Sequence, residues 1–257
     1  MRRVLGFQEG LTLQDDYAQL AKDYDYLTPK EEIFKQRPFF NKLIKSFSIR
    51  TCLDCACGTG WHLFMLKDLG LRCCGSDVSP RMIALAREHL RGRQVPLKTA
   101  DFRKLSDAWL EKFDLIVCMT TSFPHMLTDR DALTALKSMY KRLNEGGILV
   151  IDNGITDALL NSKPRVITAR KLSHRAFYYI LEYPTPKRIV FTVLQVKKTQ
   201  TSFKPIFHTT HYSAMRKSSF EGYFGRTRFR TIGYFGDYAF SKYSLKESGR
   251  LVIIAQK

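Results

Sequence analysis

Short apolar runs alternate with helix-spaced apolar positions through the middle of the chain. Thr51–Asp54, Leu71–Asp77, Val95–Ala100, Phe113–Met119 and Ile148–Ile151 read as strands. Between them Leu63, Leu66 and Leu69 share one helical face, as do Met82, Ile83, Leu85, Ala86, His89 and Leu90. Leu133, Leu136, Met139, Tyr140 and Leu143 repeat the pattern. Ser79 is a good N-cap with Pro80 in the first helical position, Thr128 caps the third helix, and Asn144-Glu-Gly-Gly147 ends it. The unbroken apolar run Phe113–Met119 suits a strand covered on both faces. Strands alternating with helices predict an α/β fold built on a doubly wound, mostly parallel sheet.

The pattern changes near residue 161. Val166–Leu172, Ala176–Tyr183, Arg188–Lys197 and Ile206–Tyr212 are β-rich, and in the third of these Phe191, Val193, Leu194 and Val196 stand against Thr192, Gln195 and Lys197. Tyr183-Pro-Thr-Pro186 is a turn signal among them. We read a small inserted antiparallel β-sheet. A helix over Ser213–Phe224 follows, and Arg228–Tyr234 with Leu251–Ala255 bring the main sheet to seven strands. Ahead of the first strand lie a loose arm (1–12), a short aromatic helix (Asp15–Leu27) and a helix opened by Thr28 and Pro29, bent at Pro38 and running to Phe47. The expected divisions are an N-terminal helical lid over 1–48, a cofactor-binding core over 49–160, the substrate-side inserted sheet over 161–213, and a closing helix and strands over 214–257.

Composition adds three points. The chain has 257 residues and is 44% hydrophobic, enough for one large domain. No run approaches the ~18 apolar residues of a membrane span, and Gln8 cuts short any secretory leader, so a cytoplasmic protein is expected. Cys52, Cys55, Cys57, Cys73, Cys74 and Cys118 fall on strands or a strand end without paired ligand spacing, so they read as buried thiols and no metal is expected. The net charge of +18 is uneven: fifteen Lys and Arg between Asn161 and Arg230 face only Glu182 and Glu221. Such a field attracts an anionic substrate or nucleic acid, or serves as a solvated face.

The chemistry gathers at strand ends, where open α/β sheets bind ligands. Asp54-Cys-Ala56-Cys-Gly58-Thr59-Gly60 joins the first strand to a helix through small residues that let a ligand approach the backbone. In the dinucleotide frame Gly-x-Gly-x-x-Gly the last position would be Trp61, too large for close packing. Asp77 ends the second strand, where a carboxylate can take both hydroxyls of a ribose. Thr120, Thr121, Ser122 and His125 follow the fourth strand and face a transferred group by the same rule.

The frame Asp54-x-Ala56-x-Gly58-x-Gly60 resembles the first motif of class I S-adenosylmethionine-dependent methyltransferases, and Leu53-Asp-Cys-Ala-Cys-Gly-Thr-Gly60 resembles their glycine and sarcosine N-methyltransferase branch. Cys118-Met-Thr-Thr-Ser-Phe-Pro-His125 and Gly146-Gly-Ile-Leu-Val-Ile-Asp152 are similar to two further segments of that branch. The resemblance implies a Rossmann-like methyltransferase fold and S-adenosylmethionine as cofactor. It implies cofactor contacts from Asp54, Ala56, Gly58, Thr59, Gly60, Asp77, Val78 and Met119, with Asp101 and Phe102 at the adenine. Where the branch has an arginine and an asparagine facing its amino-acid substrate, this chain has Gly154 and Ile155, and Thr121 replaces another asparagine. Tyr24, Thr121, Ser122, Asn153, Arg170 and Arg175 are then the expected acceptor contacts.

Methyl transfer from a sulfonium is an in-line displacement and depends mostly on alignment, worth up to ~7–11 kcal/mol. His125 is the candidate to accept the amine proton, the alternative being a histidine that bonds the loop backbone. The expected activity is methylation of a small-molecule amine, with an anionic acceptor favoured by the basic third. Two alternatives stand beside it: an RNA methyltransferase using that basic third, and a cofactor-binding regulator without activity. No Asn/Asp-Pro-Pro-Tyr/Phe motif follows the fourth strand, which counts against base methylation.

Overall fold

The computed structural model describes residues 20–257. The arm and the start of the expected first helix lie outside the described residues. The chain then makes a 3-10 turn (Ala21–Asp23) and one helical turn (Tyr24–Leu27). The expected bent helix is two helices, Lys30–Phe34 and Arg37–Phe47. Pro38 sits in the first turn of the second, where its missing N–H costs nothing.

Five strands follow: β1 (Thr51–Asp54), β2 (Arg72–Asp77), β3 (Leu97–Thr99), β4 (Phe113–Cys118) and β5 (Leu143–Asn153). Strand β5 begins before the glycine pair expected to end the preceding helix, and Gly146 keeps a φ of 76° within it. The inserted sheet is β6 (Val166–Lys171), β7 (Arg175–Thr185), β8 (Arg188–Lys198) and β9 (Phe203–Ser213), all antiparallel in sequential order. A helix over Lys217–Phe224 leads to β10 (Arg230–Phe235) and β11 (Leu251–Gln256).

The main sheet has seven strands in the order β10-β11-β5-β4-β1-β2-β3. Strand β11 alone runs against the others. The winding reverses between β1 and β4, so their carboxyl ends flank the crevice where ligands bind in such sheets. Strand alternation divides the core. Ile116, Leu149 and Ile253 face the helix Asp129–Arg142 through Leu136 and Met139, while Leu115, Val150 and Ile254 face Phe40, Leu43 and Leu63. No helix among the described residues is long and apolar enough to cross a membrane.

Gly75 fixes the spacing of β2 under the first loop. A Cβ there would stand 2.4 Å from Leu63 Cδ1, 2.8 Å from Leu97 Cδ2 and 3.3 Å from Cys57 Sγ. Gly75→Ala is expected to cost about 1–3 kcal/mol by overpacking. Thermal unfolding should then shift down by roughly 2–4 °C per kcal/mol for a domain of this size. An unchanged midpoint would show that Leu63 and Leu97 yield freely.

Candidate active site

The loop after β1 is held open by two left-handed glycines, Gly58 at φ 53° and Gly60 at φ 90°. Gly60 has a second constraint: a Cβ there would lie 3.1 Å from Leu90 Cδ1 and 3.2 Å from Ala86 Cβ. This glycine therefore seats the loop against the helix Pro80–His89. Asp77 crosses between two loops, its carboxylate accepting the Gly58 and Ser79 amides at 2.9 Å each. Asp54 Oδ1 accepts the Ala56 amide at 3.2 Å, while Oδ2 is buried with no hydrogen-bond partner. Burial raises the Asp54 carboxyl to about 7, with Asp77 adding to the shift.

These loops line a cavity together with Trp61, His62, Val78, Met82, Asp101, Phe102 and Ser122. Asp101 accepts the Arg103 amide and the Arg103 guanidinium at 2.7–2.8 Å, and Arg103 continues to Asp131. The N-terminal turn covers the cavity. Asp25 Oδ1 accepts the Thr59 hydroxyl at 2.7 Å, His89 Nδ1 meets the Thr59 carbonyl at 2.8 Å, and His89 Nε2 lies 3.4 Å from Asp25 Oδ2. Trp61 stacks on His89 at 4.3 Å. On the sheet side Asp23 pairs with Arg175 at 2.5 Å and Lys197 at 2.6 Å, so the same turn is fastened at both ends.

The loop after β4 is strained. Thr120 and Thr121 hold φ of 57° and 64°, a region β-branched residues rarely enter. Asp152, buried at the end of β5, over-determines it: its Oδ2 accepts the Thr120 amide at 3.1 Å and its carbonyl accepts the Thr121 amide at 3.1 Å. Thr121 Oγ1 in turn accepts the Gly154 amide at 2.9 Å. Arg250 Nη1 reaches both oxygens of Asp152 at 2.5 and 2.6 Å, and Tyr238 donates to Oδ2 at 2.8 Å. Asp152 pushes the Arg250 guanidinium further up, so it stays charged.

A second cavity opens between this loop, the N-terminal turn and the inner face of the inserted sheet. Leu27, Ile155, Leu181, Phe191, Val193 and Tyr212 are among its walls. Tyr24, Thr28 and Thr120 line both cavities and so mark where they meet. Desolvation raises the Tyr24 phenol, which stays neutral.

Of the expected cofactor residues, Ala56, Gly58, Thr59, Asp77, Val78, Asp101 and Phe102 line the first cavity. Asp54 adjoins it along the chain with its unsatisfied oxygen. Gly60 acts through packing, and Met119 is turned into the core with 1% exposure. Among the expected acceptor contacts, Tyr24 and Thr121 line the second cavity and Ser122 the first. Asn153 does not reach either, because its fully buried amide bonds the backbone of Ile155 and Met215. Arg170 and Arg175 also line neither cavity. Arg175 is spent on Asp23 and on the Tyr26 ring, 3.8 Å away. His125 lines the first cavity against Tyr212, with ring centroids 4.7 Å apart. Burial lowers it to about 4, so the ring is neutral at pH 7 and only a weak base. Arg250, His208 and Thr28 enter the site without an advance signal, since each lies far in sequence from the glycine-rich loop. Among the described residues no group of three His, Cys, Asp or Glu could hold a metal ion.

A family described as a methyltransferase domain matches residues 52–147. The stretch from β1 into β5 is thus similar to a methyltransferase domain. A crystal structure of an S-adenosylmethionine-dependent methyltransferase from Clostridium acetobutylicum matches with a TM-score of 0.80 at 19% identity, covering 93% of this chain and 98% of that one, which shows the fold. The glycine/sarcosine N-methyltransferase of Parasynechococcus marenigrum is 38% identical over 124 residues, 48% of this chain and 44% of the relative. The dTDP-4-amino-2,3,4,6-tetradeoxy-D-glucose N,N-dimethyltransferase of Saccharopolyspora spinosa is 30% identical over 135 residues, 49% of this chain and 52% of the relative. The matches thus span about half the length of these curated relatives.

The matched stretch has an acid whose ionisation opposes folding. The folded Asp54 carboxyl titrates near 7 against 3.8 for the ordinary group, so the unfolded chain ionises first as pH rises. Its destabilising effect is absent below about pH 4, grows between the two values and is complete above 7. Asp54→Asn should therefore stabilise the ligand-free protein more at pH 8 than at pH 4, by a few kcal/mol on the order of the linkage. Urea unfolding of both proteins across that range checks this; parallel stability curves would refute it.

Proposed function

We propose that the protein transfers a methyl group from S-adenosylmethionine to an amine of a small molecule. The observation that carries the reading is the meeting of the two cavities at Tyr24, Thr28 and Thr120, past the strand ends that flank the crevice. The donor set of the first cavity fits the cofactor. Asp77 would take the ribose hydroxyls and Asp101 and Phe102 the adenine, while Asp54, which adjoins the cavity along the chain, would meet the ammonium end of the methionine moiety with its lone buried oxygen. When bound, the cofactor supplies a methyl on a sulfonium whose positive charge vanishes on transfer.

The chain's own contribution is alignment and exclusion of water. Its N-terminal turn, fastened through Asp25 and Asp23, closes over the junction. The acceptor nitrogen must arrive with a free lone pair, and the proton it sheds after transfer goes to solvent or passes over a neutral ring. His125 and His208 are both neutral near pH 7 because burial lowers each. The named relatives act on an amino-acid amine or an amino sugar, which supports nitrogen as the methylated atom. With Gly154 and Ile155 in the loop after β5, glycine itself should be a poor substrate.

Asp77→Ala should keep the fold and weaken S-adenosylmethionine binding about tenfold or more, because a charged hydrogen bond contributes roughly 1.5–3 kcal/mol. Titration calorimetry measures the affinity, and mass analysis of products from an amine panel measures the transfer. Unchanged affinity in the variant would refute the Asp77 assignment. Cofactor binding without transfer to any amine would refute the proposed activity.

A further inference from the structure

The second cavity holds information about the acceptor, if the proposed methyl transfer is right. Its walls are apolar over most of their extent: Leu27, Ile155, Leu181, Phe191, Val193 and Tyr212 come from three separate parts of the chain. Tyr179, Phe191 and Tyr212 pack in a row, with centroids 4.8 and 5.1 Å apart. A two-carbon amino acid would leave these walls against water, whereas an apolar body would remove them from it at about 25 cal/mol per Å².

The described lining also has a single strong cation. Among the described residues lining it, Arg250 is the only Lys or Arg. The only carboxylate there, Glu32, is held by Lys35 at 2.8 Å. Arg250 immediately precedes β11, and its side chain keeps 38% exposure although its partner Asp152 is buried. Both bonds to Asp152 use Nη1. The edge formed by Nε and Nη2 is the one that takes a planar carboxylate with two parallel bonds. Asp152 and Tyr238 fix the guanidinium in place, so little side-chain entropy is lost when a ligand arrives. Gly154, which also lines the cavity, projects no side chain into it.

We infer that the acceptor is an amine carrying both an apolar or aromatic body and a carboxylate, the body lying on the Tyr179–Phe191–Tyr212 row and the carboxylate on Arg250. The acceptor is thus closer to a bulky hydrophobic amino acid than to glycine or to a neutral amine. Arg250 makes a positioning contact remote from the transferred methyl, so its loss raises KM more than it lowers kcat.

Three probes separate the parts of this inference. L-phenylalanine has body, amine and carboxylate; phenethylamine lacks the carboxylate; glycine lacks the body. Binding to the full chain is measured by titration calorimetry, with and without S-adenosylhomocysteine. L-phenylalanine should bind at least about tenfold more tightly than either of the others. Arg250→Lys keeps a cation beside Asp152 but removes the fork. It should bring L-phenylalanine down to the level of phenethylamine while S-adenosylhomocysteine affinity stays unchanged. Glycine or phenethylamine binding as well as L-phenylalanine would overturn the inference, and so would no binding of L-phenylalanine. The ranking on the unaltered protein decides the matter even if the variant folds poorly. Failure to bind S-adenosylhomocysteine would instead count against methyl transfer itself.

Discussion

The buried carboxylate of Asp152 is the interaction on which the site's geometry depends. It stands at the end of β5 and gathers groups from three distant segments: the Thr120 amide, the Tyr238 hydroxyl and the Arg250 guanidinium. Breaking one side of such a pair leaves an uncompensated charge in the interior and costs ~3–5 kcal/mol. The same residue accepts the amides of two threonines in left-handed conformations, Thr120 on its carboxylate and Thr121 on its carbonyl. The strained loop is also where the two cavities meet. Core stability and the shape of the junction are therefore maintained by the same ion pair.

Much of this was legible in the sequence because the signals were local. All seven strands of the main sheet were expected, most plainly β4, β5 and β11, whose buried apolar runs mark strands covered on both faces. The four strands of the insertion showed through alternation and the turn at Tyr183–Pro186. The loop from Asp54 to Gly60 and the acid at Asp77 stood out because small residues and strand-end carboxylates have few other reasons to recur at that spacing. The helix break near Pro38 was also readable, though it is a full break where a bend was expected.

What the sequence hid was pairing across long separations. Arg175 looked like a substrate anchor from charge alone, but Asp23 takes it, 152 positions away. Asn153 sat at the right strand end, yet its amide satisfies the turn it belongs to. Met119 follows the fourth strand but its side chain alternates into the core. Arg250 is the reverse case: nothing near it in sequence marks it, and only the antiparallel pairing of β11 with β5 sets it beside Asp152. The basic third is partly internal for the same reason, as Arg175 and Lys197 serve Asp23 and Arg216 serves Asp157.

The two turns over 21–27 cover both cavities and are fastened to Thr59 through Asp25 and to the inserted sheet through Asp23. One cover for two compartments couples their traffic. Any movement of these turns that opens one compartment also opens the other.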